Sequence, residues 1–394
     1  MNPDTSENLD TSERTGSPRP VVLAAAAALA AAMGVGRFAF TPILPLMQAQ
    51  AGMSAGLGAS LATANYVGYL AGALVGIAAP GLVHSTAVLR GSLLALVASL
   101  ALMPVLTGAA AWSVLRLVAG AASALIFMVA VSAALSRLDG HAQHWTGWVF
   151  GGVGGGIAAS GLLVLALRTA GGWREAWWAC AVLAAVLTAL AWRLVPEARP
   201  GAAATAPAPA RAHRWFGPLL AGYALEGVGY IIAGTFLVAA IEHTAPGPLG
   251  SGAWVLVGLA ALPSCAVWAR LSLRWSRPAL LLAALLVQAV GIALPALLGG
   301  AVPALVSAVL FGATFMGISN LSLAIGRDLL VPRAVAMLTA GYSAGQILGP
   351  LLAAPLLDGG YDRVLLLAGA IVLAAAVAAA AVRIRYPHPA VATR

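Results

Sequence analysis

The chain has 394 residues, 61% of them apolar and only 8% charged, with a mean hydropathy of +0.94. A soluble domain carries about a quarter charged residues, so this composition excludes a soluble globular protein and puts most of the chain in lipid. A net charge of +9 would suggest nucleic acid in a soluble protein, but every basic residue here is Arg, and their placement fits a membrane better.

Residues 1–19 are rich in Ser, Thr, Asp and Glu and predict a disordered cytoplasmic N-terminus. The Ala-rich run from Val21 follows an acidic segment and is too long for a signal-peptide core, so it reads as an uncleaved first span. Apolar runs fall at about 20–46, 54–79, 87–107, 110–136, 145–168, 173–195, 215–241, 251–269, 278–298, 301–326, 334–356 and 361–383. Each is close to the ~20 residues that a helix needs to cross the hydrocarbon core. Runs this long are helices rather than barrel strands, which predicts an all-α integral membrane protein of twelve transmembrane helices.

The termini and even-numbered connections carry Arg14, Arg19, Arg90, Arg137, Arg193, Arg199, Arg211, Arg214, Arg270, Arg274, Arg277, Arg327, Arg333, Arg383, Arg385 and Arg394, whereas the odd ones carry Arg168, Arg174 and Arg363. By the positive-inside rule both termini are cytoplasmic. Trp112, Trp173, Trp177, Trp178 and Trp254 mark one interface, and Trp145, Trp192, Trp215, Trp268 and Trp275 the other. Residues 196–214, with Pro196, Pro200, Pro207 and Pro209, predict a cytoplasmic linker. It joins an N-terminal six-helix bundle, 20–195, to a C-terminal one, 215–384, followed by a cytoplasmic tail, 385–394. Cys180 and Cys265 lie within spans and imply no disulfide framework.

The halves repeat. Gly34-Val35-Gly36 recurs as Gly227-Val228-Gly229, Thr146 as Thr339, Gly152 as Gly345 and Gly156 as Gly349, each pair 193 apart (227−34, 339−146, 345−152, 349−156). Gly171-Gly172-Trp173-Arg174 is echoed more loosely by Gly359-Gly360-Tyr361-Asp362. With an even number of spans per half, the repeat is parallel about an axis along the membrane normal, so the two bundles are pseudosymmetric.

This arrangement resembles the major facilitator superfamily, and the likeness extends to motifs. Arg116-x-x-x-Gly120 is similar to the superfamily's span-4 motif, and Gly172-Trp173-Arg174 to another frequent element. Gly345-x-x-x-Gly349-Pro350 resembles the antiporter motif, which normally lies in span 5. Span 5 here has Gly152-x-x-x-Gly156 followed by Ile157. The connection after span 2 keeps only Pro80, Gly81, His84 and Arg90 of its usual motif, without the acid of the inter-half lock. The run Gly34 to Pro42, and Asn65-Tyr66-x-Gly68-Tyr69-x-x-Gly72, are similar to the YbfB/YjiJ-type branch. The resemblance implies the major facilitator fold, a bacterial inner-membrane transporter, and a central cavity lined by spans 1, 4, 7 and 10.

An ionisable side chain in a bilayer is costly and needs a reason. Arg37, Arg116 and Glu226 lie well inside spans. Tyr230 is the repeat mate of Arg37 (230−37 is 193), and Glu226 precedes it by four residues on one helix face. These four are the candidates for substrate binding and proton coupling, with a switch in which a substrate anion replaces Glu226 beside Arg37. Each has a structural alternative. Arg116 can tie span 4 to span 1, Arg37 can serve carbonyls freed near Thr41-Pro42, and Glu226 can neutralise an Arg. Asn65, Tyr66, Tyr69, Asn320, Tyr342 and Gln346 are weaker cavity candidates, since such residues commonly serve as interhelical hydrogen-bonding glue. The glycines of span 5 (151, 152, 154, 155, 156) and span 11 (341, 345, 349) read as surfaces on which opposite halves approach and slide.

The sequence therefore predicts alternating-access secondary transport of a small organic solute, carboxylate-bearing by preference and coupled to protons. The chain is expected to act as a monomer among membrane lipids, with no cofactor, metal or nucleic acid. A proton-driven efflux pump for hydrophobic compounds is the alternative. A membrane-embedded acyltransferase or lipid hydrolase is the rival from another class, but the histidines (84, 141, 144, 213, 243, 388) sit in loops, at span margins or in the tail, without a third ligand beside His141-x-x-His144.

Overall fold

The computed structural model describes residues 18–138, 144–169, 171–196, 213–244, 247–331, 333–384 and 386. The disordered N-terminus, linker and tail expected above, and His141, lie almost wholly outside the described residues. The described residues form α1 (Arg19–Ala51), α2 (Ala55–Ala78), α3 (Thr86–Leu102), α4 (Ala109–Arg137), α5 (His144–Leu167) and α6 (Trp173–Ala191). They continue as α7 (His213–Thr244), α8 (Leu249–Leu271), α9 (Arg277–Leu298), α10 (Ala301–Asp328), α11 (Ala334–Ala353) and α12 (Tyr361–Arg383). Eleven are long and apolar enough to cross a membrane, and α3 is an apolar helix just below that length.

Local chemistry sets the ends. Ser54 accepts from the Leu57 N–H at 3.1 Å and starts α2, and Ser85 accepts from Val88 to start α3. Gly52, at φ +63°, takes the left-handed turn that stops α1. Large apolar side chains such as Val114, Leu162, Val182 and Val377 point outward. That is the pattern expected where lipid, not water, is the solvent. The protein is a multi-pass membrane protein.

Burial identifies the axis. In their most apolar windows α1 is 83% and α7 89% buried, against 33–56% for the other nine long spans. Where α1 and α7 cross, Thr41 donates to the Gly234 carbonyl at 2.5 Å, between positions 193 apart. Two repeat-equivalent residues can touch only near the axis that relates the halves, so the pseudo-twofold passes here. On either side, α5 packs along α8 as one seam between halves, and α2 meets α11 more sparsely as the other.

The repeated glycines correct an expectation. A methyl group on Gly152 would collide with the Ala26 carbonyl, and one on Gly156 with Ala30 and Gly34. Their mates behave alike, Gly345 against Ala224 and Gly349 against Val228 and Ile231, while Gly341 lies against Leu220. These glycines let α5 and α11 approach α1 and α7 of their own half, so they are not surfaces on which opposite halves slide. The approach between halves uses the other face of α5, where Gly151 and Gly154 meet Leu262, and Gly154 also meets Gly258.

Candidate functional site

The centre of the molecule is built on a break in α1. After Leu29 the helix widens into a π-helix over Ala30–Val35, and a turn follows before helix resumes at Phe40. Such a break frees carbonyls that cannot turn to water in a bilayer. Neighbouring helices supply the donors. Ser123 of α4 donates to the Ala32 carbonyl at 2.7 Å, and Arg116 to the Gly36 and Arg37 carbonyls at 3.1 and 3.2 Å. Arg116, 1% exposed, also lies over Phe40, 4.9 Å from its ring centre. Its two terminal nitrogens are spent on the backbone of α1, and its Nε has no partner.

The break turns Arg37 toward the interface between halves. Its Nη2 donates across that interface to Gln346 Oε1 of α11 at 2.8 Å, while its Nε has no partner. The guanidinium carbon lies 4.3 Å from the ring centre of Tyr69 and 5.1 Å from that of Tyr66, within cation–π range. Among the described residues no carboxylate pairs with Arg37, which is 3% exposed. Tyr66 donates to Thr235 Oγ1 at 3.1 Å, the threonine proton being used on Ile231.

Tyr230, the repeat mate of Arg37, faces the same interface. Its ring meets Phe38 edge-on at 6.4 Å and stacks on Phe315, Phe311 and Tyr342 at 5.4, 5.8 and 5.9 Å. Tyr69, Tyr342 and Asn320 are only half-buried. Asn65 is fully buried and donates to the Arg116 carbonyl at 2.9 Å, linking α2 to α4.

Glu226 departs from expectation. It does not pair with Arg37 but borders a cavity of about 10 Å³ inside the C-terminal half, shared with Tyr223, Leu285, Ser322 and Ala379. That is room for roughly one water. Both Glu226 oxygens, and both polar atoms of the equally buried Gln288 of α9, lack a hydrogen-bond partner. A four-residue spacing carries Glu226 and Tyr230 along one flank of α7. Neighbouring helices then decide which of them meets the other half, and only Tyr230 does.

Sequence reasoning missed the far end of the site, the end bearing the connections after odd-numbered helices. Arg168, just after α5, pairs with Glu242 of α7, and Gln48 of α1 donates to the Tyr361 hydroxyl at 2.8 Å. Tyr361 opens α12 as Trp173 opens α6, and Glu242 lies one residue beyond the mate of Gln48 (48+193 is 241). With Thr41–Gly234 between them, these contacts close the far end. The constant interval could have found Thr41 and Gly234, which keep it although the residue types differ.

A family model described as an uncharacterised MFS-type transporter, YbfB, matches residues 29–380. No curated protein matches the chain in sequence. Among solved structures, the nucleoside transporter NupG is similar, with a TM-score of 0.68 over 92% of this chain and 100% of that one. At 13% identity that likeness speaks for the fold alone.

Proposed function

This chain belongs to the YbfB-type family of major facilitator transporters, and we propose that it is a proton-coupled secondary transporter of a small carboxylate-bearing solute. The observation that carries this reading is Arg37: a buried cation at the interface between halves, with no acidic partner among the described residues and a free Nε. A charge held this way is costly unless a partner arrives. An incoming carboxylate can take Nε and Nη2 together, releasing the neutral amide of Gln346. Arg116 does not compete, since α1 carbonyls hold it.

The proton is carried by Glu226. An ionised carboxylate buried with no cation beside it is costly, which suits Glu226 to carrying a proton. The coupling between the two sites runs along α7, which carries both Glu226 and Tyr230. This replaces direct exchange between substrate and Glu226 at Arg37. The protein sits in a bacterial inner membrane with both termini cytoplasmic, which the Arg distribution supports.

In reconstituted vesicles, Arg37→Ala is expected to lose solute binding and exchange. Glu226→Gln is expected to retain exchange but lose accumulation driven by a pH gradient. Normal accumulation by Glu226→Gln would remove Glu226 from the coupling mechanism. The aromatic lining also suits efflux of hydrophobic compounds, and uncharged solutes moved equally well by Arg37→Ala would favour that reading.

A further inference from the structure

Resting on the carboxylate reading of Arg37, we infer that the solute is a planar aromatic monocarboxylate. The number of charges follows from the arginines. Of the two buried near the site, Arg116 donates to the carbonyls of Gly36 and Arg37, leaving one guanidinium to read one carboxylate. A second carboxylate would enter the bilayer centre with no cation to meet it.

The flat shape follows from what surrounds that guanidinium. Tyr69 lies against it at 4.3 Å on the N-terminal half. The C-terminal half presents rings that are nearly parallel: Tyr230 is inclined by 14° to Phe315, 15° to Phe311 and 21° to Tyr342. Tyr342 is in turn inclined by 15° to Tyr223 at 4.4 Å. These rings already stack on one another, and a flat ring extends such a stack at its margin more readily than a puckered ring or branched chain does. Tyr69 and Tyr342 are only half-buried, which puts the margin of the cluster beside the cation. Gln346, which already spans the halves to Arg37, stands where the carboxylate would dock.

The test uses the full chain in lipid nanodiscs and three probes of similar size. Benzoate carries both features, cyclohexanecarboxylate keeps the charge without the flat ring, and benzamide keeps the ring without the charge. Binding is read by displacement of radiolabelled benzoate and, independently of the label, by thermal stabilisation. Benzoate is expected to bind about fivefold or more tightly than cyclohexanecarboxylate, and benzamide not to compete. Tyr230→Leu should erase the difference between the two acids while Tyr230→Phe keeps it. The Phe variant also guards against a Leu variant that merely fails to fold. Equal binding of the two acids, or tighter binding of cyclohexanecarboxylate, overturns the aromatic assignment and leaves the carboxylate reading standing. Benzamide binding as well as benzoate overturns the carboxylate reading itself, and the inference with it.

Discussion

The two buried arginines are the same residue type in similar burial and have different work. The Nε of each has no partner, but both terminal nitrogens of Arg116 end on carbonyls of α1, whereas Arg37 ends on one neutral amide of the other half. A hydrogen bond to a charged group contributes about 1.5–3 kcal/mol. Arg116→Leu removes two of these and leaves the Gly36 and Arg37 carbonyls unmet in lipid. We expect it to lower stability by about 3 kcal/mol or more, read as a fall in the thermal unfolding midpoint of purified protein. Arg37→Ala breaks one cross-half bond and should leave that midpoint within a few degrees. If Arg116→Leu keeps full stability and loses only solute binding, its backbone role is wrong.

Among the elements, α5 shows how one helix serves two neighbours. One face, at Gly152 and Gly156, lies against α1 of its own half, and another, at Gly151 and Gly154, lies against α8 of the other half. Gly155 meets little, with only the Leu262 Cδ1 at 3.9 Å from an added methyl. Gly155→Ala should therefore be tolerated within about 0.5 kcal/mol. Gly152→Ala should prevent the half from packing, because backbone on both sides has nowhere to move. Gly154→Ala should spare each half and open the seam. Proteolysis and thermal unfolding of the three variants separate these outcomes, and a fully stable Gly152→Ala would contradict the packing described.

For the whole molecule, alternating access requires that the far end open at some stage, and three cross-half contacts hold it shut: Arg168–Glu242, Gln48–Tyr361 and Thr41–Gly234. The ion pair is partly exposed, at 20% and 16% for the two side chains, so it is worth about 1 kcal/mol at most. Arg168→Glu sets two like charges against each other and should shift the population toward far-end opening by about fivefold or more. The reporter is thiol labelling of a cysteine placed at Thr235, applied from that side. The swap Arg168→Glu with Glu242→Arg should return labelling to the wild-type level. If the double variant labels like the single one, the pair does not gate the far end.

The fold class and the succession of apolar helices were legible in the sequence, because lipid imposes one rule on every span: twenty or so apolar residues with the backbone satisfied internally. The interval of 193 was equally plain, and read through to Thr41 and Gly234 it would also have located the axis. Periodicity placed Arg37, Arg116, Glu226 and Tyr230 inside helices and grouped the last two on one flank. It could not say what those side chains touch, since that depends on which helix lies alongside and how each is rotated. Packing against neighbouring helices turned Glu226 into its own half, gave Arg116 to the broken backbone of α1 and left Arg37 between the halves. Helix faces follow from a one-dimensional repeat, whereas partners follow from three-dimensional contact between segments far apart in the chain.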